Sequence, residues 1–195
     1  MNSITYILYA EGVDYCYLID CGYGTQLFPS LESLGKRVRA VFLTHAHYDH
    51  IYGLNLLKER FPGVKVYTTI EGRDALFDTK KNFSKYHPEI EPFIFQYKDG
   101  VEILSDGGLI HLFEEDYMEV LFTPGHDVSC VSYVVEDNLF TGDSYIPGLK
   151  TVCTFPRSDK ELALRSTLLL KDMEKQGYIV LCGHHSYNKL TKNKR

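Results

Sequence analysis

Short apolar runs, each cut off by Gly, Pro or Asp, recur along this 195-residue sequence and predict many short strands. Residues 4–9 and 15–20 flank Glu11-Gly12 and predict an N-terminal hairpin. Further strands are predicted over 38–44, 64–68, 93–97, 101–104, 109–113, 117–123, 130–135, 138–140 and 178–182. Helical patterning lies between them. Residues 27–34 form one helix, with Pro29 tolerated in its first turn. Over 49–60, Ile51, Leu54, Leu57 and Phe61 recur at helical spacing until Pro62-Gly63 stops them. Residues 70–77 are a weaker third. The helix over 159–176 opens on the capping-box match Ser158-Asp159-Lys160-Glu161 and closes at Gly177, with Leu162, Leu169 and Met173 on its expected buried face. Strands alternating with helices in both halves, with hairpins between, give an α/β or α+β class with mixed sheets. No internal repeat or linker interrupts the pattern. The oddly composed stretch is 78–92, with three lysines, His87 and two prolines, which reads as a long surface connection or a cover over a site.

Composition adds constraints. Hydrophobic residues at 44% and charged residues at 24% are ordinary for a globular chain and exclude disorder as the main state. The length corresponds to one domain over 1–195 with a core that needs no disulfide staples. The net charge of −5 argues against a nucleic-acid partner. Five cysteines, an odd number without a C-x-x-C pair, mostly lie in apolar runs and point to a reducing, cytoplasmic setting. The first residues lack a basic stretch followed by an apolar one, so no signal peptide is expected, and no run is long enough to span a bilayer. The expected partner is a small molecule; oligomeric state is not legible.

Histidine is the residue that changes the picture, because six of eight crowd into three short stretches. Thr44-His45-Ala46-His47-Tyr48-Asp49-His50 begins where a strand ends and runs into a helix. In extended backbone, side chains at i and i+2 share a side, so His45 and His47 can converge on one metal ion. Asp49 and His50 then turn with the chain toward a second position, the carboxylate favoured by the helix N-terminus. Three more segments repeat one logic: Thr123-Pro124-Gly125-His126, Thr141-Gly142-Asp143 and Cys182-Gly183-His184 each put a glycine and a candidate ligand after an apolar strand. Glycine there allows a sharp turn and close approach. Any one of these residues reads most simply as a polar side chain at a strand end; the set of four segments does not.

The motifs H-x-H-x-D-H, T-P-G-H, T-G-D and G-H, in this order, resemble those of the metallo-β-lactamase-fold hydrolases, and Leu18-Ile19-Asp20-Cys21-Gly22 resembles that family's first motif. The resemblance runs to His184 and implies a four-layer αβ/βα sandwich of two mixed sheets flanked by helices, with a dinuclear metal site at one edge. It implies His45, His47 and His126 on a first metal, Asp49, His50 and His184 on a second, Asp143 bridging, and Asp20 in support. It also implies two divalent ions, zinc foremost, with iron or manganese compatible with the same donors. The expected reaction is hydrolysis of a small ester, thioester, lactone or related substrate by a hydroxide formed at neutral pH, with Asp49 and Asp143 as the catalytic carboxylates. The alternative on the same fold is a mono-iron persulfide dioxygenase.

His184 is preferred to His185 as the last ligand because it occupies the place after the glycine; His185 then faces substrate. Tyr145 and Tyr187 are candidate donors to a substrate oxyanion, and Arg157 resembles an arginine of glyoxalase-like relatives and is a candidate for holding an anionic group. His87 and His111 are expected to be structural or surface residues. After His126 the sequence departs from the usual family continuation, with Asp127-Val128-Ser129-Cys130 in its place. Eleven residues follow His184, too few for the helical C-terminal domain of glyoxalase II. Specificity is expected in the loops at 22–28, 78–92 and 145–157.

Overall fold

The computed structural model describes residues 3–23 and 27–184. The chain order is β1 (Tyr6–Tyr9), β2 (Tyr15–Ile19), α1 (Leu27–Leu34), β3 (Arg37–Phe42), α2 (Tyr48–Ile51), α3 (Leu54–Arg60), β4 (Lys65–Thr68), α4 (Ile70–Leu76), a 3₁₀ turn (Ser84–Tyr86), β5 (Val101–Ile103), β6 (Leu109–Phe113), β7 (Asp116–Phe122), β8 (Val131–Val135), β9 (Asn138–Gly142), α5 (Lys160–Gln176) and β10 (Ile179–Cys182). They build two five-stranded sheets, ordered β1-β2-β3-β4-β5 and β10-β9-β8-β7-β6. Each is mixed: the first is parallel except for β1 on β2, the second antiparallel except for β10 on β9.

Alternation along the strands sorts side chains into layers. On β2, Cys16 and Leu18 face helices α1–α3, where Leu31, Ile51, Leu54 and Leu57 meet them. Tyr17 and Ile19 face the other sheet, packing with Phe42, Met118, Val131, Tyr133 and Phe140. The second sheet's outer face carries Val134, Leu139 and Val180 against Leu170 of α5. The result is helices, sheet, sheet, helix. A register shift where Cys16 and Tyr17 pair with Val38 and Ala40 leaves Arg39 as an extra residue, so Val38 and Val41, three apart, share one layer.

Three local expectations change. Residues 93–97 alternate as a strand should, Phe93 and Phe95 being buried and Ile94 exposed. Their amides instead bond Ser84 Oγ, the Leu76 carbonyl and the Asn55 side chain, which also donates to the Ile94 carbonyl. One polar side chain on α3 thus does the work of a sheet edge. The helix expected over 49–60 is two helices broken at Tyr52-Gly53, where the Gly53 amide bonds the Cys21 carbonyl and the Cys21 amide bonds His50. Docking of the 20–22 loop takes priority over helical continuity.

The third change is on α5. Its cap is Asp159, whose carboxylate accepts from the amides of Glu161 and Leu162, while Ser158 Oγ donates to the His126 carbonyl. Its buried face is Ala163, Ser166 and Leu170, with Leu169 47% exposed and Met173 packed at the margin. A Cβ on Gly125 would lie 2.2 Å from the Ala163 amide nitrogen, so the helix seats a small residue directly on that backbone. Close approach, rather than the bulkiest apolar stripe, sets the helix rotation. No described helix is long and apolar enough to cross a membrane.

Candidate metal centre

Four strand ends deliver the polar cluster. His45 and His47 follow β3, His126 follows β7, Asp143 follows β9 and His184 follows β10, while Asp49 and His50 sit on α2. Their ligand atoms form three overlapping groups, each with all atoms within 4.8 Å of one another: His45, His47 and His126; His45, His50 and Asp143; Asp49, His50 and His184. Asp143 lies between them, with Oδ2 3.1 Å from His184 Nε2 and 3.6 Å from His126 Nε2, and Oδ1 3.7 Å from His50 Nε2. A Cβ on Gly183 would sit 2.3 Å from Asp143 Oδ1, so only glycine lets β10 deliver His184 this close.

The surroundings fix which ring nitrogen points inward. His126 Nδ1 donates to the Val152 carbonyl at 2.8 Å, leaving Nε2 as a lone pair 3.1 Å from His47 Nδ1. His50 Nδ1 lies 2.7 Å from Asp20 Oδ2, leaving Nε2 facing His184 Nε2 at 3.3 Å. Asp20 is itself anchored by the Thr44 amide and Thr44 Oγ1, both at 2.7 Å. Such partners orient imidazoles for metal binding. Ring nitrogens converging this closely suit a shared cation as well as a shared proton. The buried atoms His45 Nε2 and Asp143 Oδ1 have no hydrogen-bond partner, which is costly unless an ion satisfies them. The donor set therefore fits divalent cations.

Electrostatics agree. Burial and the neighbouring imidazoles hold His45 well below its ordinary pKa, and burial with His47 lowers His126, so both are neutral donors. Burial would lower His50 too, but the carboxylates of Asp20, Asp143 and Asp49 raise it to about 9. The bond to Asp143 raises His184. Burial pushes the Asp143 carboxyl up, yet His184, His50 and His126 outweigh it and hold it well below the usual range.

Other expected site residues lie elsewhere. The Tyr145 hydroxyl donates to Glu174 Oε2 at 2.6 Å and the ring packs among Leu139, Leu170 and Val180, so it serves the sheet–helix layer rather than an oxyanion. Arg157 is spent on Asp127, through Nε to Oδ2 at 2.8 Å and Nη2 to Oδ1 at 3.1 Å, rather than left open for an anion. His185 and Tyr187 lie outside the described residues. The 78–92 segment is bonded into the fold: Asn82, fully buried, donates to the carbonyls of Ala75 and Phe93 and accepts from the Ser84 amide. It holds Phe83 in left-handed backbone (φ 65°), with its ring 4.8 Å from His47. Phe155 packs on the same imidazole at 5.4 Å and on Phe83 at 5.0 Å.

Asp127 joins the site although the motif pattern does not mark it; its place directly after His126 is its one signal in the sequence. It is 1% exposed and lies 3.6 Å from His47 Nε2, the nitrogen turned away from the cluster. Burial works against its charge, but His47, Arg157 and Ser129 hold its carboxyl well below the ordinary range. Asp127→Asn should weaken divalent-metal affinity about 10- to 100-fold, as loss of such a partner does, read by competition with a chelator. Unchanged affinity would remove Asp127 from the site.

The match to known proteins is broad. The model of the metallo-beta-lactamase superfamily matches residues 2–188. The hydroxyacylglutathione hydrolase of Klebsiella pneumoniae is 26% identical over 133 residues, 68% of this chain and 43% of that protein, so the chain spans about two-fifths of that relative's length. The hydroxyacylglutathione hydrolase GloC of Haemophilus influenzae is 27% identical over 180 residues, 89% of this chain and 81% of that protein. Among solved structures, the BLEG-1 B3 metallo-beta-lactamase superposes with a TM-score of 0.82 at 25% identity, covering 94% of this chain and 87% of that one. The chain belongs to the metallo-β-lactamase superfamily.

Proposed function

We propose that the chain is a hydrolase that uses two divalent metal ions, zinc foremost, to cleave a small ester, thioester or lactone. His45, His47 and His126 would hold one ion and Asp49, His50 and His184 another, with Asp143 as their common carboxylate. The observation that carries this reading is the overlap of three donor groups around Asp143, with inward nitrogens made neutral or held by carboxylates. When bound, such ions supply Lewis acidity and a nucleophilic water at neutral pH.

The chain's own residues do the rest. Asp20 and the Val152 carbonyl hold the tautomers of His50 and His126, so their Nε2 atoms stay available. Asp49, whose Oδ2 lies 3.3 Å from His184 Nε2, would take a proton from the attacking water. Phe83 and Phe155 shield His47 and His126 from bulk water, which strengthens charge interactions inside. The names of the Klebsiella and Haemophilus relatives make hydroxyacylglutathione the first thioester to test.

Zinc-loaded protein assayed on hydroxyacylglutathione, an aliphatic lactone and an aryl ester should turn over at least one of them. Chelator should abolish that activity and added zinc restore it. Full loading without turnover of any, or oxygen consumption on a persulfide by iron-loaded protein, contradicts the proposal.

A further inference from the structure

A cavity lies between α5 and the segment 148–154, with a volume of about 950 Å³, within the range of small-molecule sites. On α5 its wall is a single stripe, Lys160, Leu164, Thr167 and Lys171, at helical spacing, with Ala163 beside Leu164. At 1.5 Å per residue the stripe is about 16 Å long, with a lysine at each end and apolar or small side chains between. Lys150 and the apolar Leu149 and Val152 stand opposite.

Three features set this groove apart from ordinary surface. No carboxylate lines it, although the chain as a whole carries −5. Among the described residues, none of its three lysines is held in an ion pair. Its apolar members are also displayed rather than covered: Leu149 is 52% exposed, Val152 49% and Leu164 60%. Exposed apolar surface framed by one sign of charge marks a site for a ligand with the complementary pattern.

We propose that this groove binds an elongated amphiphilic anion, an apolar chain or ring system bearing a carboxylate, sulfonate or phosphate. The apolar body lies along Leu164 and Val152, and the anionic head pairs with a lysine. None of the proposed metal ligands lines the groove, and the Val152 carbonyl in its wall holds His126. Binding is thus readable without turnover.

The probe is 1-anilinonaphthalene-8-sulfonate, followed by fluorescence on metal-loaded protein, with N-phenyl-1-naphthylamine as its uncharged counterpart. The sulfonate should bind at one saturable site and be displaced by decanoate and decyl phosphate, but not by inorganic phosphate. The triple substitution Lys150→Glu, Lys160→Glu, Lys171→Glu should weaken it at least about tenfold, as reversal of complementary charge does, with metal content and melting temperature kept. A second variant, Leu164→Asp, tests the apolar wall and should weaken it likewise. Equal affinity for the uncharged dye, displacement by inorganic phosphate, or unchanged binding in the lysine variant overturns the proposal. So does a concentration-dependent dimer that Leu164→Asp dissolves, since a second copy would then be the occupant.

Discussion

Asp143→Ala should cut hydrolytic turnover by more than about 1,000-fold, equivalent to about 4 kcal/mol of transition-state stabilisation. Asp143 is the only carboxylate of the cluster with an oxygen toward His184, His126 and His50 together, at 3.1, 3.6 and 3.7 Å. Alanine removes the anion that balances charge between the two proposed metal positions and leaves the second with Asp49, His50 and His184 alone. The fold should survive, because Asp143 lies at the outer end of β9 with its side chain 12% exposed, outside the three apolar layers. Steady-state kinetics with zinc in excess, beside a melting curve, separates the two effects. Turnover within tenfold of the parent, with the fold intact, would refute the shared role of Asp143.

Asp20→Ala should destabilise the metal-free protein by about 3–5 kcal/mol, the cost of stripping one partner from a buried ion pair. Metal-free, His50 has its pKa raised to about 9, so near neutral pH it is protonated against Asp20, and both are at most 1% exposed. Removing the carboxylate strands the Thr44 amide and His50 Nδ1 and takes one of two partners from Thr44 Oγ1. The backbone adds to the loss, since Asp20 sits at φ 60°, a region aspartate and asparagine tolerate better than alanine. A fall in melting temperature of roughly 10 °C is expected for a chain of this size. Asp20→Asn keeps the shape and backbone preference and should lose less. The raised pKa of His50 gives the pH dependence its sign: this pair's contribution is fully present below the unfolded value near 6.5 and fades as pH rises through about 9. An alanine variant as stable as the parent at pH 6 would show that the pair contributes nothing.

The cluster was legible because its chemistry is local in sequence. His45, His47, Asp49 and His50 fall within six residues, and the remaining donors each follow an apolar strand and a glycine. The layered class was legible because short apolar runs and helical patterning alternate along the chain in both halves. What was hidden depends on contacts between distant segments. Residues 93–97 have strand-like alternation, but Asn55, 39 and 41 positions before the Ile94 carbonyl and Gln96 amide that it bonds, helps decide where their backbone groups go. The face of α5 depends on Gly125, and the break between α2 and α3 on the 20–22 loop.

Substrate-facing residues are the least legible. Tyr145 and Arg157 look available in sequence because nothing nearby uses them. Glu174 and Asp127, 29 and 30 positions away, claim them in the fold. The departure after His126 carried more than it showed: Asp127 stands where the sequence leaves the family pattern and reaches the outer nitrogen of His47.

The most direct test of the dinuclear account is the number of metal ions held by one chain. Metal-free protein is dialysed to equilibrium against zinc, and bound metal is measured by elemental analysis against protein concentration. The account predicts two zinc ions per chain, falling to one or fewer in Asp143→Ala. A wild-type value that saturates at one ion, or a variant that still holds two, would contradict it.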